Sequence, residues 1–247
     1  MVATNLYGNR LLDARSDHDR ERTASGLHVL RLRRRELTHE RGDRLRHVDF
    51  PIDAVLSIVA TFFNGDVCDV GTVGCEGFVE CDAALDSDRA RRTSFCQVAG
   101  RVVRMPLDVF RQEMRADGSF ARIVRRNLSA RLYASEQFMA CNLKHPLSRR
   151  CALWLLLTRD RVGRNEFLLT HELLSIMLGV RRAGVSTAAA SLQRIGAIEY
   201  HRGKVTVLDE GLLVQAACEC YATSTNAFVK SLRDGDDSPA DELPTGE

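Results

Sequence analysis

Residues 169–208 read LTHELLSIMLGVRRAGVSTAAASLQRIGAIEYHRGKVTVL. Leu173, Leu174, Met177 and Leu178 recur at helical spacing and form one apolar stripe. Thr170 precedes them as an N-cap, Glu172 lies in the first turn where the helix dipole favours an acid, and Gly179 ends the helix. A second helix begins two residues later and buries Val185, Ala188, Leu192 and Ile195, with Gly196 closing it. Ile198-Glu199-Tyr200 and Val205-Thr206-Val207-Leu208 then alternate as two strands around His201-Arg202-Gly203-Lys204. Two short helices, a glycine turn and a basic-tipped hairpin make the pattern of a winged helix-turn-helix.

In such a motif the second helix enters the major groove of DNA. Arg181, Arg182, Ala183, Ser186, Thr187 and Ala190 lie outside its apolar stripe. Arginine at the start of that helix can fork onto guanine O6 and N7, and Ser or Thr can bond bases or phosphates. Arg202 and Lys204 on the wing suit phosphates. The bland alternative is a pair of core helices followed by a surface hairpin. Having both helices, the turn, the basic face and the wing in order favours DNA.

The 247 residues suffice for one large domain or two modest ones, and a hydrophobic content of 45% is ordinary for a globular chain. The net charge of +2 is unevenly spread: Lys144–Tyr221 carries 11 Lys and Arg against 7 acids, whereas Asp234–Glu247 has six acids and no base. A basic domain with an acidic tail fits DNA binding followed by a disordered end. No signal peptide or membrane-length apolar run is evident, so a cytoplasmic protein with eight reduced cysteines is expected.

Residues 1–25 read as a charged helical lead. Between residues 26 and 110, short alternating segments with glycine turns predict a sandwich or roll. They include His28–Leu32, His47–Pro51, Val55–Ala60, the Asn64-Gly65 hairpin flanked by Thr61-Phe62-Phe63 and Asp66–Val70, and two strands turning at Gly100. A helix from about Ser119 to Lys144, within a segment 111–145, carries Phe120, Val124, Leu128, Leu132, Ser135 and Phe138/Met139 on one side. A small roll cannot hide so long a stripe, and pairing with a second copy is the economical solution. His145-Pro146 breaks the helix and Leu147–Val162 forms the next one.

Roll, long helix and winged helix-turn-helix in this order resemble the Crp/Fnr superfamily of bacterial transcription regulators. The resemblance is closest at Ala140-Cys141-Asn142 with His145, Trp154-Leu155-Leu156, Asp160-Arg161-Val162, and from Leu169 through Arg202-Gly203. It extends to Ala217-Cys218-Glu219-Cys220-Tyr221, and to Val70-Gly71-Thr72-Val73-Gly74 with Glu76-Gly77 in the roll. It implies an α+β fold: an N-terminal cyclic-nucleotide-binding-type β-roll (26–110), a long dimerisation helix (111–145) and a C-terminal winged helix-turn-helix (146–221), followed by a tail (222–247) disordered towards its end. It also implies a homodimer on an imperfect palindrome of double-stranded DNA, with RNA polymerase as a protein partner.

The family's base-reading positions fall on Arg182, Ala183 and Thr187, where well-known members carry Arg, Glu and Arg. This chain is therefore not expected to share their operator. Arg181, Ser186, Arg202, Lys204 and Thr170 supply the supporting contacts. For a cyclic nucleotide, the resemblance places the phosphate-binding pair on Arg92-Thr93 and the sugar-binding acid on Glu76, after Gly74. The 16-residue separation, the intervening Cys75 and the competing Arg89 and Arg91 depart from the pattern, and a solvated basic loop is the other reading.

No cysteine precedes Cys68, which argues against an N-terminal iron–sulfur group. Cys68, Cys75, Cys81 and Cys96 lack C-x-x-C spacing and read as buried small hydrophobes, with a redox-sensing thiol the weaker alternative. Cys218-x-Cys220 has no second ligand pair at zinc-finger spacing, so no metal is expected there. His171-Glu172 begins like a zincin helix, but Ser175 stands where the second histidine belongs. A cupin-like metalloenzyme would need two histidines one residue apart, which His39 and His47 are not. A ligand-sensing scaffold without DNA binding remains as the alternative, and no catalysis is implied.

Overall fold

A computed structural model describes residues 7–232 of the chain. Two short helices, α1 (Arg10–Asp13) and α2 (Asp17–Thr23), lead into β1 (His28–Leu32), β2 (Leu37–His39), β3 (His47–Pro51), β4 (Val55–Thr61) and β5 (Val67–Val73). After α3 (Cys81–Ala84) come β6 (Thr93–Val98) and β7 (Gly100–Pro106). The strands form an antiparallel sheet of order β1-β7-β3 and another of order β2-β6-β4-β5. Leu32, Leu56, Val73, Cys96 and Val102 pack in one cluster of this roll. Gly100 starts β7 where a Cβ would come within 2.5 Å of the Ala54 nitrogen, so only glycine lets the two segments meet. The expected strand residues Phe62 and Phe63 instead lie in the turn, where Phe62 N–H donates to Asp66 O and Gly65 takes φ +85°.

Helix α4 (Leu107–Arg115) leads to the 26-residue α5 (Ser119–Lys144). Phe120 and Val124 of α5 pack with Phe50, Phe78 and Phe110 in a second cluster. Phe110 and Phe120 meet edge-on at 5.6 Å, a favoured aromatic geometry. The stripe expected along α5 therefore divides. Its first half is buried in the roll's own core, while Leu132, Met139 and Leu143 further along are exposed.

After Pro146 the chain forms α6 (Leu147–Val162), β8 (Glu166–Leu168), α7 (His171–Leu178), α8 (Arg182–Arg194), β9 (Ile198–His201), β10 (Lys204–Val207), α9 (Glu210–Ala216) and α10 (Cys220–Ser231). Their cluster also takes in Val55 and Val98 of the roll, so apolar packing continues between the two parts. Residues 222–231, expected to begin a tail, belong to α10, which packs on α5 with Cys220 and Ser224 fully buried. The acidic Asp234–Glu247 segment and residues 1–6 lie outside the described residues.

Candidate nucleic-acid interface and effector cavity

Thr170 caps α7 by accepting a hydrogen bond from Leu173 N–H at 3.3 Å. Gly179, at φ +64°, turns the chain so that α8 begins at Arg182 with Arg181 as its N-cap. Val185, Ala188, Ala189 and Leu192 face the core, while Arg181, Arg182, Ala183, Ser186, Thr187 and Ala190 are exposed. Ile195, expected in the core, is 48% exposed because α8 ends one residue before it. The two-residue turn of the wing places Arg202 at φ +48° and Gly203 at φ +79°, both in the left-handed region that a tight hairpin of this twist needs. Gly203 O accepts from Leu169 N–H at 2.8 Å, which fastens the wing to the start of the helical pair.

Among the described residues Arg181, Arg182 and Arg202 form no ion pair, so their charges face solvent. Lys204 pairs with Glu166 at 2.8 Å, an exposed contact that a phosphate can displace at small cost. Ser186 is held by His171, whose Nδ1 lies 3.1 Å from its Oγ, and the imidazole packs edge-on against Tyr200 at 4.4 Å. Burial, and then the Arg182 charge, push the His171 pKa down and keep the ring neutral. The sequence had shown His171 only as an abortive zincin start. Its role in positioning Ser186 depends on β9 bringing Tyr200 to it.

A cavity of about 650 Å³ lies between the roll and α5. Ile58, Val79, Leu85, Leu128 and Leu132 give it apolar walls, and Glu80, Arg91, Arg92, Ser94, Ser129 and Arg131 give it polar ones. Of the four residues expected to hold a cyclic nucleotide, Arg92 lines this cavity and Gly74, Glu76 and Thr93 do not. Glu76 is buried in an ion pair with Arg161 of α6, at 2.9 Å, and Arg161 also donates to Thr72. Gly74 packs under the same side chain, where a Cβ would come within 2.2 Å of Arg161 Cγ. Thr93 alternates away from Ser94 along β6 and accepts from Arg41 N–H at 3.2 Å.

Two acids line the cavity, Asp82 and Glu80; Glu80 accepts from Ser94 Oγ at 2.8 Å and lies 3.0 Å from His39 Nδ1. A spacing of 12 residues between Glu80 and Arg92 was the available signal, and Glu76 in its glycine-flanked setting masked it. Arg131 is engaged with Phe78 O, and Arg91 pairs with Asp82 at 3.3 Å. Among the described residues the Arg92 guanidinium hydrogen-bonds only to the Arg91 carbonyl, at 3.4 Å, so of the three arginines it is the cation most available to a ligand. His39 and His47 stack at 4.4 Å, each beside its own carboxylate, Glu80 and Asp49, and do not converge on a common point as a cupin metal set would.

Residues 149–216 match the Crp-like helix-turn-helix domain. No curated protein matches the chain. Among solved structures, a CRP-family transcriptional regulator from Thermus thermophilus superposes with a TM-score of 0.61 at 23% identity, over 76% of this chain and 96% of the other. A second CRP/FNR-family regulator from that organism gives 0.58 at 18%, over 77% and 98%. The c-di-GMP-responsive global regulator CLP of Xanthomonas campestris gives 0.58 at 16%, over 78% and 100%. No helix of the described residues is long and apolar enough to cross a membrane. The chain has the fold of the Crp/Fnr transcription regulators and carries their helix-turn-helix domain at residues 149–216.

Proposed function

We propose that the protein is a cytoplasmic, homodimeric transcription regulator that binds an imperfect DNA palindrome and reads each half-site with α8. The observation that carries this reading is the division of α8. Val185, Ala188, Ala189 and Leu192 fix it to the domain, and Arg181, Arg182, Ser186 and Thr187 are left on one open face. Arg182 reads a base edge, Ala183 and Thr187 line the groove, and Thr170, Arg181, Ser186, Arg202 and Lys204 hold phosphates. The division of the chain at residues 26–110, 111–145 and 146–221 serves sensing, pairing and reading, with α10 added to the last part. RNA polymerase is the protein partner this reading implies, and no catalytic step belongs to it.

Dimerisation is supported by Leu132, Met139 and Leu143, which are 61–84% exposed and spaced seven and four residues apart on α5. That is the spacing of a helix-pairing seam. Leu132 also lines the cavity, so a ligand there would touch the seam directly. The cavity suits a partly apolar anion of small-molecule size, and its volume lies in the usual ligand range. The response of the Xanthomonas regulator to c-di-GMP makes cyclic nucleotides the first ligands to screen, by thermal shift.

The test of DNA reading is fluorescence anisotropy of the full chain on selected DNA, with Arg182→Ala beside Arg202→Ala. Arg182→Ala should weaken the specific site by about 1–3 kcal/mol and relax the preference at one position. Arg202→Ala should weaken all sequences alike and flatten the salt dependence by about one charge. Unchanged binding in Arg182→Ala across sequences would contradict the assignment.

A further inference from the structure

Four side chains able to bind a metal converge where the long helix ends. Cys141 lies in the last turn of α5, and His145 is the helix C-cap four residues later, its N–H donating to Cys141 O at 3.0 Å. Cys218 and Cys220 flank the start of α10. The three Sγ atoms and a ring nitrogen of His145 lie within 4.8 Å of one another, and the three cysteines are buried. Cys141 Sγ is 3.5 Å from Cys218 Sγ, and Cys220 Sγ is 3.6 Å from His145 Nδ1. Zinc–sulfur bonds of about 2.3 Å and zinc–nitrogen bonds of about 2.0 Å put tetrahedral ligands about 3.5–3.8 Å apart.

We propose that Cys141, His145, Cys218 and Cys220 form a closed structural site for Zn²⁺. The second ligand pair that Cys218-x-Cys220 lacks in the sequence is supplied by the i, i+4 pair of the long helix.

The surroundings are those of metal ligands and not only of packed thiols. His145 Nε2 lies 3.1 Å from Glu219 Oε1, which fixes the ring with Nδ1 turned to the sulfurs; carboxylates orient metal-bound histidines in this way. Gln137 Nε2 donates to Cys220 Sγ at 3.1 Å, an amide hydrogen bond that a thiolate accepts well. Cys220 is also the first residue of α10, where the unpaired N–H groups of the helix favour negative charge. Binding would release the three thiol protons to solvent, leaving three thiolates and a neutral imidazole on the ion, with no change of oxidation state.

The set is closed by protein ligands alone, the pattern of structural zinc. The ion would clasp the start of α10 to the end of α5, beside the Pro146 bend that leads into the DNA-binding domain. Because it depends on no nucleic acid, this site stands or falls separately from the DNA reading.

The test is elemental analysis of the full chain purified under reducing conditions without chelators, followed by Co²⁺ titration of the same chain stripped of metal. The expected result is about one zinc per chain, with intense visible bands of tetrahedral cobalt thiolate on titration. Cys218→Ser with Cys220→Ser should lower metal content roughly tenfold or more. His145→Cys, which keeps four ligands, should retain it, as should Cys68→Ser outside the cluster. Less than about a tenth of a zinc per chain together with no cobalt bands would overturn the proposal. So would undiminished zinc in the double serine variant.

Discussion

Asp19 shows how one side chain sets the geometry of a long element. Gly118 gives α5 no side-chain cap, and Asp19 reaches over from α2 to accept from Phe120 N–H at 2.9 Å and from the Ser119 hydroxyl. Burial alone would raise its pKa, but those hydrogen bonds, with Arg22 at 2.9 Å, hold it below the ordinary value. Asp19→Ala should destabilise the fold by about 1–2 kcal/mol, read as a lower urea midpoint. A midpoint equal to wild type would show that α5 needs no cap from outside. Asp69 works in the opposite sense. Burial on β5 outweighs its contact with Ser57, the Gly71 N–H that donates to it at 2.8 Å, and the nearby Arg161 and Arg131, and pushes its pKa up to about 7. The fold then favours the neutral acid, so this contribution is full below pH about 4 and declines until pH about 7. Asp69→Asn should gain on wild type between pH 5 and pH 8 in paired urea unfolding curves. An equal difference at both pH values would contradict the assignment.

At the scale of elements, legibility followed how locally each structure is determined. Helices α7 and α8 could be read from the sequence because apolar period, N-cap and closing glycine agree within a few residues of one another. The Ile195 misreading has a local cause: periodicity carried the stripe one residue past the point where the helix stops. The position of Glu80 in the cavity could not be read from the string because the cavity exists only when β6, α3 and α5 come together, and the string offers Glu76 as an equally placed acid. Glu76 lies away from that cavity because it pairs with Arg161, 85 residues away in another part of the chain, a contact the string does not reveal. The convergence of Cys141 with Cys218 spans 77 residues and depends on α10 packing along α5, which the polar composition after residue 221 did not suggest.

For the whole molecule, α5 is the element on which the proposed sensing, pairing and reading would meet. Its first half belongs to the core of the roll, its middle lines the cavity, and Leu132, Met139 and Leu143 along it are exposed. The buried Arg161–Glu76 pair then joins the roll to α6, the first helix of the DNA-binding domain. Replacing Leu132 and Met139 with Lys places charges in the proposed seam and should shift the protein from dimer to monomer in analytical ultracentrifugation, with DNA affinity falling in parallel. A wild-type monomer at working concentration would contradict the seam.

The most direct measurement is selection of random-sequence DNA by the full-length protein, followed by sequencing of the bound pool. The account predicts an enriched inverted repeat whose half-sites lie about one helical turn apart, lost with Arg182→Ala. A bound pool with no enriched motif, or a single unrepeated half-site, would contradict a dimeric reader built on α8.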